Sequence, residues 1–355
     1  MSNNQENTGG GAHKRRVRYK GKYPRKFEEK YKEHQPEKYK ETVEKVIRKG
    51  STPAGMHISI MVDEMLEVLR IEPGQVGFDA TLGYGGHTRA MLECLKGTGH
   101  VYATDVDPIE SEKTKNRLLK EGFGEDCLTI KLQNFCTIDE IAKEAGGFDF
   151  IFADLGVSSM QLDNPERGFS YKNDGPLDLR LDPKHGISAA QRLKNISREE
   201  LSGMFYENSD EPYCDELAKA ITDEIKKGNT IETTRDLYQI IAKTLDFIPE
   251  KEKKDTIKKT CQRVFQALRI DVNNEFEVLY EFMEKLPDAL KPGGRAAILS
   301  FHSGEDKIVK KALKQGLKEG IYEDISKGVI RPSREECIKN GRAKSTKMRW
   351  AIKSR

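Results

Sequence analysis

No stretch of the 355-residue chain approaches the ~20 consecutive apolar residues that a bilayer-spanning helix requires. The polar, basic N-terminus also lacks the apolar core of a signal peptide, so the expectation is a cytoplasmic protein with no membrane partner. The six cysteines, Cys94, Cys127, Cys136, Cys214, Cys261 and Cys337, are scattered without a C-x-x-C pair, and the seven histidines show no H-x-x-x-H spacing. Reduced thiols are expected rather than a disulfide frame, and no metal site. What remains is hydrophilic: charged residues make up 34% of the chain, and the mean hydropathy is −0.70. At this length the chain can build a large core plus a second unit.

The net charge of +3 conceals an asymmetry. Residues 1–50 carry 15 Lys and Arg against 7 Glu, a net +8, which leaves −5 for the remainder. Within that arm Tyr19, Tyr23, Phe27, Tyr31 and Tyr39 are interleaved with the cations. A solvated tail that aids solubility would look similar, but cations that meet phosphates beside rings that stack on bases suit nucleic acid. From Arg331 to Arg355 a second basic segment has nine Lys and Arg against two Glu. Two basic ends on a mildly acidic body point to a polyanionic substrate.

The densest local signal is Asp79-Ala80-Thr81-Leu82-Gly83-Tyr84-Gly85-Gly86-His87, an acid and three glycines between a short apolar strand pattern and a helical one. Glycines at a strand-to-helix turn let backbone amides approach a ligand. The loop departs from G-x-G-x-x-G by placing Thr88 at the third small position, which weakens a dinucleotide reading. S-adenosylmethionine has a cationic amino-acid end that Asp79 could hold, and Asp105, closing the next strand, could accept from ribose hydroxyls. Asp105 does not discriminate, because dinucleotide enzymes use a similar acid.

Strand patterns near 76–80, 101–104, 128–132 and 148–154 alternate with helical ones, which predicts a parallel sheet covered on both faces. From 162 to 259 the strand signal stops. Ser197-Arg198-Glu199-Glu200 has the spacing of a capping box ahead of Leu201 and Phe205, and Leu217, Ile221 and Ile225, then Leu237, Ile241 and Leu245, share helical faces. The sheet resumes at 295–300, and a strand at 348–352 is expected to close its edge. The division expected is a basic arm at 1–50, disordered or helical, core segments at 51–161 and 260–355, and an inserted helical substrate domain at 162–259.

Ligands of open α/β sheets bind at the strands' carboxyl ends. There the fourth strand delivers Asp154-Leu155-Gly156-Val157-Ser158-Ser159-Met160-Gln161, and the fifth Ser300-Phe301-His302-Ser303. Each fits catalysis, or a helix cap for Asp154 and a hydrogen-bonded loop histidine for His302. Together with Glu166-Arg167-Gly168-Phe169-Ser170, 174–182 and Phe265-Gln266-Ala267-Leu268-Arg269-Ile270, these runs closely resemble the small-subunit ribosomal RNA cytosine-N4 methyltransferase family, known as RsmH or MraW. The resemblance extends in order from about His57 to Ile352.

That resemblance implies a class I S-adenosylmethionine-dependent methyltransferase, Rossmann-like with a mostly parallel sheet and an inserted helical domain. It implies cofactor contacts at Asp79, Gly85, Gly86, His87, Asp105, Phe135, Asp154 and Gln161, with His57 near the pocket. Asp154, Ser158 and His302 are the catalytic candidates. Arg167, Phe169, Tyr171, Arg180 and Arg269 are candidates for holding 16S ribosomal RNA, although the rings fit core packing equally well. The implied product is N4-methylcytidine in the decoding region. Ring-carbon methylation needs a cysteine nucleophile, commonly after proline, and none of the 13 prolines precedes a cysteine. A methyltransferase of the same fold acting on another nucleic acid, or a non-catalytic RNA-binding relative, would share much of this pattern. The chain departs from typical members at Ser59-Ile60, Met160, Asp271, Asn274 and Gly304, and the basic arm has no counterpart in them. Deleting residues 1–50 is expected to weaken RNA binding and flatten its dependence on salt, read by titration at several ionic strengths; unchanged binding would make the arm a passive tail.

Overall fold

The computed structural model describes residues 59–355. The basic arm at 1–50 and His57 lie outside the described residues. Seven strands form one sheet: β1 Val76–Asp79, β2 His100–Asp105, β3 Leu128–Leu132, β4 Phe148–Asp154, β5 Leu290–Ser300, β6 Tyr322–Ile325 and β7 Lys347–Lys353. Their order is β3-β2-β1-β4-β5-β7-β6. The first five run parallel, and β7 runs antiparallel to both of its neighbours. This is the mostly parallel, Rossmann-like sheet of the class I methyltransferase fold.

The period-2 alternation of the central strands builds two cores. Phe78, Ile151, Ala153, Ala296 and Ile298 face one side; Phe150, Phe152, Ala297 and Leu299 face the other. Because β4 is covered on both faces, it reads as an almost unbroken apolar run. Helices α1 Val62–Leu69, α2 Gly86–Leu95 and α3 Pro108–Lys120 bury Met65, Met91 and Leu118 on the Phe150 side. On the opposite side α4 Ile138–Ala145 buries Ile138 and Ile141.

One strand assignment requires correction. β7 does not close the sheet, because β6 pairs along its outer side. The sequence of β6, Tyr-Glu-Asp-Ile, buries only its two ends and exposes two acids between them. Such charges protect an edge strand but read as loop in a linear sequence.

Between β4 and β5 the chain forms α5 Ser159–Asp163, α6 Ala189–Asn195, α7 Arg198–Ser209, α8 Cys214–Lys226, α9 Thr234–Thr244, α10 Glu250–Asn273 and α11 Glu275–Ala289. Helices α6 to α10 contribute to a third apolar cluster, in which Leu201, Phe205, Leu217, Ile221, Leu237, Ile241 and Leu245 are fully buried. The expected boundary after residue 259 falls inside α10, which is continuous for 24 residues. The expected capping box at Ser197 is only half formed. Ser197 Oγ accepts from the Glu200 amide at 3.1 Å, but the Glu200 carboxylate turns to Arg192. After β5, α12 Ser303–Lys318 packs Ile308 and Leu313 against the sheet beside α11.

Gly77 lies under the ring of Phe150, and a Cβ there would fall 1.9 Å from Phe150 Cε2. Gly77→Ala is expected to lower stability by about 1–3 kcal/mol in urea unfolding. Combining it with Phe150→Leu should cost less than the two single changes summed; simple additivity would mean that this clash is not the cause.

Candidate active site

The loop from β1 to α2 takes left-handed backbone at Gly83 and Gly85, with φ of 46° and 74°. A Cβ on Gly85 would also press to 2.8 Å from Thr114 Cγ2, so glycine is needed there on both counts. Beneath this loop lies Asp79, fully buried. Its Oδ2 accepts from Thr88 Oγ1 at 2.6 Å and its Oδ1 from the Thr81 amide at 3.0 Å. Thr81 Oγ1 in turn accepts from the Asp154 amide at 2.7 Å, which ties the loop to the end of β4. Asp79 does not border the cavity above it. Burial raises its pKa, and its oxygens serve the loop.

A cavity of about 500 Å³ opens at the carboxyl edge of the sheet. Gly85, Gly86, His87, Asp105, Phe135, Asp154 and Gln161 all border it. Asp105 accepts from the Gly83 and Asp107 amides at 2.8 Å each. Burial lifts its pKa to about 6, against the pull of those two hydrogen bonds. The Phe135 ring stands edge-on to Phe282 at 5.1 Å, leaving it partly exposed at the cavity wall. Gln161 has its amide oxygen on the Ser158 amide at 2.9 Å and its Nε2 on Asp107 at 3.0 Å.

Asp154 sits at the centre of this group. Its buried Oδ1 has no hydrogen-bond partner among the described residues, and Oδ2 lies 3.7 Å from His87 Nδ1. Burial, with the negative charge of Glu305 as a lesser cause, pushes its pKa up to about 7. His87 Nε2 faces the Ile60 carbonyl at 2.9 Å. A carbonyl only accepts, so Nε2 carries the proton and Nδ1 turns a lone pair toward Asp154. Burial lowers the His87 pKa, which favours that neutral ring.

The other catalytic candidates border the same cavity in structural roles. Ser158 caps α5, accepting from the Gln161 amide at 3.2 Å. His302 caps α12, and its Nε2 lies 3.1 Å from Glu305 Oε1. Burial works against the Glu305 charge, but His302, Arg269 and the Phe301 amide outweigh it and hold the carboxyl below its usual range. Glu275, His302 and Glu305 bring possible metal-ligand atoms within 4.8 Å of one another. Arg269 already donates to both Glu275 oxygens, at 2.7 and 2.8 Å.

Of the five expected substrate contacts only Arg269 borders this cavity. Phe169 is 5% exposed within the helical cluster. Arg167 is bound to Asp107 at 2.7 Å and to the carbonyls of Arg180 and Leu181. Arg180 is held by Asp178, through Nε at 2.7 Å and through Nη2 at 2.8 Å. Tyr171 opens on a different cleft. Arg167 answers the buried Asp107 of the core and carbonyls of the insertion, and Arg180 its neighbour Asp178, which a linear sequence cannot distinguish from phosphate contacts. Sequence reasoning missed Gln262, Gln266 and Asn273, which border the cavity with Arg269. Their spacing of four, three and four residues was the available signal, a polar stripe along one face of α10.

The donor set suits S-adenosylmethionine. Asp105 suits ribose hydroxyls, Phe135 an adenine face, and the acids Asp105, Asp154, Glu275 and Glu305 a cationic ligand. In the ligand-free protein the fold favours protonated Asp154, so its stabilising contribution is complete below the unfolded pKa of 3.8 and is lost as pH rises through about 7. Asp154→Asn, neutral throughout, should therefore gain stability over the parent between pH 4 and pH 8. A stability gap that did not change with pH would rule out this titration.

Residues 54–354 match the model of the MraW methylase family. The chain is similar to ribosomal RNA small subunit methyltransferase H 1 of Agathobacter rectalis, 79% identical over 342 residues that cover 96% of this chain and 98% of the relative. It is also similar to the methyltransferase H 1 of Lachnoclostridium phytofermentans, at 67% identity with 96% and 93% covered. A third relative, methyltransferase H 2 of Alkaliphilus metalliredigens, is 61% identical with 96% and 97% covered. These spans take in most of the basic arm, so the expectation that it lacks a counterpart does not hold for these relatives. By a family match over residues 54–354 and by these identities, the chain belongs to the MraW methylase family.

Proposed function

We propose that the protein methylates the exocyclic N4 amine of a cytidine in the decoding region of 16S ribosomal RNA, within the small ribosomal subunit and in the cytoplasm. Bound in the cavity, S-adenosylmethionine supplies a methyl group activated by its sulfonium. The observation that carries this reading is Asp154, a carboxyl with one unpartnered oxygen, beside the glycine loop. Membership in the family and the similarity to ribosomal RNA small subunit methyltransferases support the RNA substrate. No helix among the described residues is long and apolar enough to cross a membrane.

The amine of cytosine is a poor nucleophile because its lone pair is delocalised into the ring. A site that activates it must accept hydrogen bonds as positive charge builds on nitrogen, and must hold the base in line with the methyl group. Asp154 Oδ1 is such an acceptor, and a carboxyl titrating near neutrality is matched to taking up the amine's proton. His87 assists by keeping an unprotonated Nδ1 on the far side of that carboxyl. Along α10, Gln262 and the side-chain oxygen of Gln266 are offered to the flipped base, while Arg269 is held by Glu275 and Asn273 by the backbone of Leu179, Leu181 and Arg269.

The cysteines support amine over ring-carbon chemistry. None borders the cavity. Burial pushes the thiol pKa of Cys136 up to about 11 and that of Cys261 up to about 12, which disfavours the thiolate.

Ribosomal RNA from cells lacking the protein should lose one N4-methylcytidine by nucleoside mass spectrometry, and purified protein should restore it with tritiated donor. Asp154→Ala is expected to reduce turnover by roughly 100- to 10,000-fold while the fold is retained. Near-normal turnover by that variant would remove the residue from the mechanism, and transfer to DNA or metabolites in place of ribosomal RNA would overturn the substrate assignment.

A further inference from the structure

A second cleft, of about 410 Å³, opens on the inserted helices and is bordered by Tyr171, Lys172, Asn173, Asp174, Arg235, Tyr238 and Gln239. The rings of Tyr171 and Tyr238 lie parallel within 5°, with centroids 6.2 Å apart, and Tyr238 is 38% exposed. Parallel, accessible aromatic faces of this kind are what an unstacked base settles on. Two cations flank them. Arg235 is 65% exposed and lies 3.3 Å from Asp174, while Lys172 is exposed on the facing loop. The exposed amides of Asn173 and Gln239 complete the rim.

The cleft is built rather than incidental. Thr234, fully buried at the start of α9, fastens its two walls together. Its Oγ1 donates to the Asn173 carbonyl at 2.8 Å, its amide donates to the Gly175 carbonyl at 2.9 Å, and the Gly175 amide returns to Oγ1 at 3.2 Å. Tyr171 packs edge-on against Phe265 at 6.1 Å, and the next residue of α10, Gln266, borders the methylation cavity.

We propose that this cleft holds a single unstacked nucleotide of the RNA substrate other than the one methylated. Its base lies on the tyrosine pair, its edge meets the Asn173 and Gln239 amides, and its phosphate meets Lys172 and Arg235. The inference rests on the RNA methylation proposed above and extends it to a second point of grip. Seizing a flanking nucleotide offsets the unstacking needed to flip the target base.

The test uses the full chain and a single-stranded fragment of small-subunit ribosomal RNA containing the methylated cytidine. Tyr238→Ala should weaken RNA binding roughly 5- to 150-fold, the equivalent of about 1–3 kcal/mol. It should raise KM for the RNA while leaving donor affinity unchanged. Tyr238→Phe, which keeps the ring, should bind within about twofold of the parent, and Arg235→Ala should reduce the salt slope by about one. Irradiation with thiouridine-substituted RNA should cross-link to the peptide that carries Tyr238. A folded Tyr238→Ala protein with unchanged RNA affinity and no cross-link there would overturn the second site, whereas parent protein that still methylates the RNA would leave the main reading standing. Parent protein that methylates no ribosomal RNA would overturn both.

Discussion

The buried carboxyl of Asp79 is the point on which the site depends. Two of its hydrogen bonds, from Thr88 and the Thr81 amide, fix the loop that enters α2, and Thr81 passes that order to the amide of Asp154. An acid taken wholly out of water persists only where its oxygens are occupied, and here the occupants are the backbone and side chains that shape the loop. Gly83 and Gly85 then take left-handed backbone above it, and Gly85 passes close to Thr114. The loop and the Asp154 carboxyl thus share one hydrogen-bonded base, so the carboxyl ends of β1 and β4 are set together.

Parallel pairing of β1 with β4 brings Asp79 and Asp154 to the same end of the sheet, and β5 adds His302 and Glu305 beside them. Burying several acids in one cavity is costly unless they are paired, neutralised or met by a cation. All three responses are present. Glu275 is paired with Arg269, Asp105 and Asp154 are raised toward neutrality, and the remaining negative charge favours a cationic ligand. The inserted helices contribute at the same point, since α10 buries Val264, Phe265 and Leu268 in its own cluster while turning a polar stripe to the cavity. Methyl donor and base can therefore be held by different cores that meet at one rim.

Gly304, where the chain departs from the expected family pattern, has a local reason to be glycine. A Cβ at that position would fall 2.6 Å from Phe276 Cζ, so the ring of Phe276 occupies the space that a larger side chain at 304 would need. The same ring leans on His302 at 5.8 Å.

Much of this was legible in the linear chain. Short apolar runs marked β1 to β5, the glycine loop marked the ligand edge, and residues that end strands, such as Asp105 and Asp154, were placed there by connectivity alone. Local sequence determines strand pattern and turn chemistry because both depend on neighbours a few residues apart. The tertiary structure decided how each polar side chain spends its hydrogen bonds. It closed Asp79 beneath the loop on Thr81 and Thr88, sent Arg167 to the buried Asp107 and Arg180 to its neighbour Asp178, made Ser158 and His302 helix caps, paired β6 outside β7, and gathered Tyr171 and Tyr238 into one cleft. Those outcomes depend on which groups meet across the fold, and a buried donor or acceptor is committed by whatever partner lies within about 3 Å of it.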